Sequence, residues 1–207
     1  MPYTYDYPRP AVTVDSLIFS IDPEKGLEIL LIERANEPFK GSWAIPGGFV
    51  DMDEDLIPAA KRELKEETGM IIENLYEAGV FAKPNRDPRG RVITIAFWEL
   101  TEKNKHALKA ADDANRYEWK AVNKLPKLAF DHLEITNKTL TKLKAVLLND
   151  SFIADHFNKN TKETNLNKLC QQLFEKEDAS MALKIIRDSI KLQNPDSDSI
   201  NPDPFLN

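Results

Sequence analysis

Between Gly48 and Met70 the chain sets particular residue types at fixed spacing: Gly48, Glu54, Arg62, Glu63, Glu66, Glu67 and Gly69. At average residue frequencies, a chance match to this pattern in such a chain is on the order of one in a million. The pattern dictates local structure first. Asp55 can cap a helix, Pro58 suits a first turn and Gly69 ends the run, so a helix is predicted over Asp55–Thr68. On that helix Glu63 lies one turn from both Glu66 and Glu67, which gathers their carboxylates in one region of the surface. Two such charges ~5 Å apart repel by roughly 3 kcal/mol at an effective dielectric of about 20. Hard oxygen donors crowded together suit Mg²⁺ or Mn²⁺, which keep waters and accept phosphate oxygens. Taken alone, a Glu-rich helix with an Arg62–Glu66 pair at i,i+4 reads as solvated surface. The flanking glycines and Glu54 weigh against that reading.

The rest of the chain reads as a mixed α/β domain with additions at both ends. Residues 1–10, rich in Tyr and Pro, are an extended arm. Strands are predicted at Val12–Ile21 and Leu27–Ile32, joined by a turn at Asp22–Gly26. A sharp turn at Ile45–Gly48 leads into a short strand at Phe49–Val50 before the Glu-rich helix. Strands Leu75–Ala82 and Val92–Leu100 flank a loop at Lys83–Arg91, and a short strand follows at Glu118–Val122. Asp131 begins a long helix, Leu133–Leu148. The domain therefore covers residues 11–149. Beyond it the composition shifts towards Asn and Lys. A helical extension is predicted over 150–193, with helices near Asn165–Phe174 and Ala179–Leu192, then a disordered tail over 194–207.

Composition narrows the function classes. The 207 residues are 42% hydrophobic and 30% charged, as in a soluble globular protein. A net charge of −6 argues against general binding to nucleic acid or anionic membranes. The single cysteine, Cys170, excludes an intramolecular disulfide and suits a reducing compartment. With no secretory pattern at Met1–Tyr7 and no apolar run of membrane-spanning length, a cytoplasmic protein is expected.

The Gly48–Met70 segment resembles, without a departure, the signature of the Nudix hydrolase family (Gly-x5-Glu-x7-Arg-Glu-apolar-x-Glu-Glu-x-Gly-apolar). The looser similarity runs from about residue 8 to about residue 135. The resemblance implies an α/β/α sandwich around a mixed sheet and metal-dependent attack of water on a diphosphate. It implies Glu63 and Glu67 as the main ligands of Mg²⁺ (or Mn²⁺). Glu66 would be a third ligand or part of the water-activating set. A carbonyl near Gly47 would be a further ligand, Arg62 would orient the glutamates, and Glu54 would pair with it. No protein nucleophile is evident. His106, His132 and His156 lack paired ligand spacing and read as structural or surface residues.

Arg86-Asp87-Pro88-Arg89-Gly90-Arg91, with Pro84 fifteen residues after Gly69, is similar to the ADP-ribose pyrophosphatases of that family. Segments Glu33-Arg34, Gly41 to Gly48, Ala111 to Ala114, Trp119 and Leu128 to His132 share the likeness. This implies ADP-ribose as substrate, cleaved to AMP and ribose 5-phosphate. Arg34, Arg86, Arg89 and Arg91 are then candidates for binding its anionic groups, with Gly47 and Gly48 allowing close backbone approach. Related segments often carry an acidic residue between Asp113 and Trp119, where this chain has Arg116. That leaves Asp112, Asp113 and Glu118 as alternatives for a general base. The resemblance also suggests a homodimer. Phe97, Trp98 and the tyrosines of the arm could stack on a base, or sit in the core. The competing class is a transcriptional regulator that pairs a Nudix core with a C-terminal DNA-binding extension. Against it stand the intact signature and the sparse basic residues of Ala179–Leu192, namely Lys184, Arg187 and Lys191.

Overall fold

A computed structural model describes residues 4–22, 24–106, 108, 114–147 and the scattered positions 166, 169–171, 173–174, 179 and 182–183. The chain divides into two compact units, Met1–Lys142 and Leu143–Asn207. In the first unit seven strands form one mixed sheet: β1 (Ala11–Asp22), β2 (Gly26–Arg34), β3 (Trp43–Ala44), β4 (Gly47–Phe49), β5 (Tyr76–Phe81), β6 (Val92–Leu100) and β7 (Ala114–Ala121). Helix α1 covers Leu56–Thr68 and α2 covers His132–Val146. The order across the sheet is β3-β2-β1-β6-β5, with β4 on β1 and β7 on β2. Among the described strands the long central β1·β6 ladder is parallel and the other ladders are antiparallel. Both strands are largely buried and β-branched, as a ladder covered on both faces requires.

Alternation along β1 assigns the two faces. Val14 and Ile18 pack with Ala59, Ala60 and Leu64 of α1 in two adjoining clusters that also take in Leu30, Met70 and Phe97. Ser16 lies on this face too and donates to the Ala60 carbonyl. Burying one side chain such as Leu64 contributes about 1.5–3 kcal/mol. The odd-numbered residues face the other way, where His132 of α2 approaches Asp15. Lys83–Glu134 and the Lys142 contact to the Glu77 carbonyl draw α2 alongside β5 and the loop after it. The result is the expected α/β/α sandwich.

Local signals gave most of these elements. Asp55 caps α1 through Oδ1 to the Leu56 amide at 2.7 Å, and Gly69, at φ 71°, donates back to the Lys65 carbonyl. Phe97 and Trp98, candidates for base stacking, lie in the core, Trp98 against Tyr76. Three strands depart from expectation. β4 covers Gly47–Phe49 rather than Phe49–Val50, because it pairs with Thr13–Asp15 of β1. β7 starts at Ala114, before the predicted Glu118, because pairing with β2 extends from Glu28↔Ala121 to Arg34↔Ala114. Two-residue β3, paired with Ile32 and Glu33, was not predicted at all, since two residues carry no alternation to read. In the second unit Leu143, Leu147, Leu166, Leu169, Cys170, Phe174, Ala179, Ala182 and Leu183 are buried. The remainder of the predicted extension and the tail at 194–207 lie outside the described residues.

Candidate active site

The site forms where the Ile45–Gly48 turn meets α1. The Gly47 amide donates to Glu67 Oε2 at 2.8 Å. Gly48 lies against Glu63 so closely that a Cβ there would stand 2.4 Å from its carboxyl carbon. A Cβ on Gly47 would instead strike the Val14 carbonyl oxygen at 2.1 Å. The two glycines are therefore steric necessities for different reasons. One lets the turn lie on β1, and the other leaves room for a carboxylate.

Arg62 organises the acidic side chains. Its Nε and Nη2 donate to the two oxygens of Glu54 at 3.0 and 2.5 Å, a forked pair that planar guanidinium favours. Nη1 donates to Glu63 Oε1 at 2.8 Å and Glu66 Oε2 at 3.0 Å, and Nη2 also reaches the Phe49 carbonyl. The hydrogen bonds from Arg62 hold the Glu54 carboxyl down at about 2, and the same bonds hold the guanidinium firmly protonated. Burial pushes Glu63 up, against the pull of Arg62. Glu67, only 7% exposed, is pushed well up by burial and by the neighbouring charges of Glu63 and Asp15; the Gly47 amide and Arg34 oppose this only in part. Glu66 is 57% exposed at its side chain.

A buried carboxylate crowded by like charges calls for a cation, and its hard oxygens suit a divalent one. Glu63 and Glu67 are the residues that could hold one, with Glu66 more exposed beside them. Among the described residues no three acidic, His or Cys side chains cage an ion unaided. An ion here would keep waters or take ligand oxygens, which is the usual habit of Mg²⁺.

The arginines separate into different roles. Arg34 donates to the Pro38 and Asn36 carbonyls and lies over the Phe130 ring at 4.9 Å. Arg89 lies over Phe49 at 4.8 Å and Phe130 at 5.1 Å, while forked onto Asp87. Burial, then the nearby Arg89 charge, lowers the pKa of Arg34, so an anion beside Arg34 would favour its charged form. Arg86 is different. Its side chain is 5% exposed and forks onto Asp131 at 2.8 and 2.7 Å, joining the loop to the start of α2. Arg91 is exposed and donates to the Ala82 carbonyl.

Of the loop candidates for the base, the described residues include only Glu118. Asp112 and Asp113 lie outside the described residues. Glu118 is on β7, paired with Lys120 at 2.6 Å, on the face opposite Tyr117 and Trp119, which pack towards α1. Arg116, at the position where an acidic residue was expected, donates to Glu33 Oε2 at 2.6 Å and lies over Trp43. Asp15, which sequence reasoning passed over, and His132, which it read as structural or surface, adjoin the site. Asp15 is buried in β1 and accepts the Thr94 hydroxyl at 2.8 Å, and Thr94 in turn bonds Thr13. His132 is buried and accepts the Ile45 amide. An acidic residue in the middle of a strand rich in apolar residues was the one available sign of the first.

Comparison with known proteins agrees with this geometry. Residues 11–140 match the NUDIX domain. The chain is 50% identical over 129 residues to an ADP-ribose pyrophosphatase of Methanocaldococcus jannaschii, covering 62% of this chain and 72% of that protein. It is 37% identical over 142 residues to the ADPR responsive transcriptional repressor NtrR of Acinetobacter baylyi, covering 67% of this chain and 56% of the repressor. Among solved structures, the NUDIX domain of Shewanella oneidensis NrtR complexed with ADP ribose superposes with a TM-score of 0.61 at 30% identity, over 67% of this chain and 94% of that one. With the family matched across well over half its length and the signature glutamates gathered at one turn, the chain belongs to the NUDIX domain family.

Proposed function

We propose that this protein is a divalent-metal-dependent pyrophosphohydrolase that cleaves ADP-ribose to AMP and ribose 5-phosphate. The observation that carries the proposal is the placement of Glu63 and Glu67 on either glycine of the Gly47–Gly48 turn. Mg²⁺ or Mn²⁺ held by Glu63, Glu67 and Glu66 would lower the pKa of a water and screen the charge developing on the diphosphate. Arg62 orients Glu63 and Glu66 through Nη1, with Glu54 locking its far side. Gly48 leaves open the space that a side chain would take from Glu63. Arg34 and Arg89 flank the Phe130 ring and offer charge to a phosphate, with Arg91 further out. Arg86 contributes indirectly, by fixing the loop that carries Arg89. Glu66, solvent-accessible beside the buried pair, is the first candidate for water activation, ahead of Glu118, Asp112 and Asp113. The protein works as a homodimer in the cytoplasm; light scattering checks the first point. Among the described residues no helix is long and apolar enough to cross a membrane.

The test is a panel of nucleoside diphosphate derivatives with Mg²⁺, reading released AMP. Turnover of other diphosphates with none of ADP-ribose defeats the substrate choice.

A second reading has one observation behind it: the 37% identity to an ADP-ribose-responsive repressor. Under it the core senses ADP-ribose and the C-terminal extension over 150–207 contacts DNA. A gel shift against the gene's own upstream DNA separates the two. A specific band released by ADP-ribose favours the regulator, whereas AMP production without a band favours the enzyme.

A further inference from the structure

Three consecutive residues of the turn at the site are held from three different elements. The Ile45 amide donates to Nδ1 of His132, the first residue of α2, at 2.9 Å. The Pro46 carbonyl accepts the Ser16 amide of β1 at 2.8 Å. The Gly47 amide donates to Glu67 of α1 at 2.8 Å. The first bond fixes the imidazole tautomer. A ring nitrogen that accepts an N–H carries no proton, so the neutral ring has its proton on Nε2. Nε2 stands 3.9 Å from Asp15 Oδ1, and the other oxygen of Asp15 is taken by Thr94. Asp15 is also the residue opposite Gly47 in the β1·β4 ladder. His132 thus meets the turn twice, directly at Ile45 and through the ladder partner of Gly47. The forked Arg86–Asp131 pair anchors the residue immediately before it.

We infer that His132 is a positioning residue for the hydrolysis: by accepting the Ile45 amide it fixes the Ile45–Gly48 turn and so the placement of Glu67 and Glu63 about its two glycines. The inference rests on the hydrolase reading above. Without an acceptor the Ile45 amide would be a buried orphan donor, and the turn would move to satisfy it. A shift of about 1 Å in groups that orient a reaction costs rate by as much as 100-fold.

The experiment compares His132→Asn with His132→Leu in the full chain. The Asn amide oxygen can take the place of Nδ1, whereas Leu fills the volume and accepts nothing. Wild-type protein labelled with ¹⁵N should show scalar coupling across the hydrogen bond between the Ile45 amide nitrogen and His132 Nδ1, with no metal or substrate present. His132→Leu should lose about 10- to 100-fold in kcat with KM little changed, and His132→Asn should recover most of that loss while both melt cooperatively. Should the Leu variant not fold, His132→Gln replaces it, because its amide extends past the position of Nδ1. Absence of the coupling, full kcat in the Leu variant, or an Asn variant no better than Leu each overturns the inference. If wild-type protein leaves ADP-ribose intact, only the substrate reading fails; the coupling, and the same variants assayed on whichever diphosphate is hydrolysed, still decide the role of His132.

Discussion

The Gly47 amide donates to Glu67 Oε2 at 2.8 Å across 20 residues of sequence, so the turn before α1 and the last turn of that helix share one buried carboxylate. This is the only short hydrogen bond given to Glu67 among the described residues, and it does not offset burial beside Glu63 and Asp15.

A prediction follows for Glu67→Gln. Activity should fall by orders of magnitude with the fold retained; near-normal kcat would remove Glu67 from the proposed metal site. The sign of the stability effect is also determined. A carboxyl whose folded pKa is raised favours the protonated native state, so its contribution is intact below the unfolded value and erodes as pH rises through the folded one. At pH 8 the wild-type protein should therefore gain melting temperature from Mg²⁺, because an ion that binds only the native state stabilises it. Glu67→Gln should gain much less, and an equal gain in differential scanning fluorimetry counts against the assignment.

The two glycines should respond differently to alanine. In Gly48→Ala the clash is with the far end of the Glu63 side chain, which can swing away. Melting should change little while kcat drops by about 100-fold, in line with a displaced reacting group. In Gly47→Ala the clash is with backbone at Val14, which cannot move without breaking the β1·β4 ladder. That variant should lose on the order of 3 kcal/mol of stability or fail to accumulate. Urea melts alongside assays distinguish them, and the reverse ranking would mean the turn is placed differently.

Arg86 and Arg89 should also separate. Arg86→Ala strands the part-buried Asp131 carboxylate and should lower the denaturation midpoint, by less than the roughly 3–5 kcal/mol that losing one partner of a fully buried pair costs. Arg89→Ala should act mainly on KM for the anionic substrate, since Arg89 is partly exposed and lies over Phe49 and Phe130. A large KM effect from Arg86 without loss of stability would restore it as a direct ligand.

The Glu54–Arg62 pair predicts an acid limb. With its folded pKa held near 2 and an ordinary value of 4.5, Glu54 contributes stability that is present above about 4.5 and is lost as pH falls towards 2. Melting temperatures of Glu54→Gln should fall less steeply than wild type over that window. Parallel curves would show that the pair contributes nothing to folding.

The sequence by itself determined α1 and the chemistry it carries. Capping by Asp55, termination at Gly69 and the i, i+3 and i, i+4 placement of Glu63, Glu66 and Glu67 are local, because a helix is built from contacts within a few residues. The Arg62–Glu66 bond and the strands β1 and β6 were legible on the same ground. What lay beyond reach was every pairing across long separations. His132 meets Ile45 over 87 residues and Thr94 meets Asp15 over 79, and neither spacing leaves a periodic trace. The same distance divides the arginines, since only the fold shows Arg86 spent on Asp131 and Arg34 and Arg89 brought to one phenylalanine. Sequence supplied the donors and acceptors; the sheet order and the docking of α2 decided which of them meet, because burial forces each polar group to find a partner wherever the chain brings one.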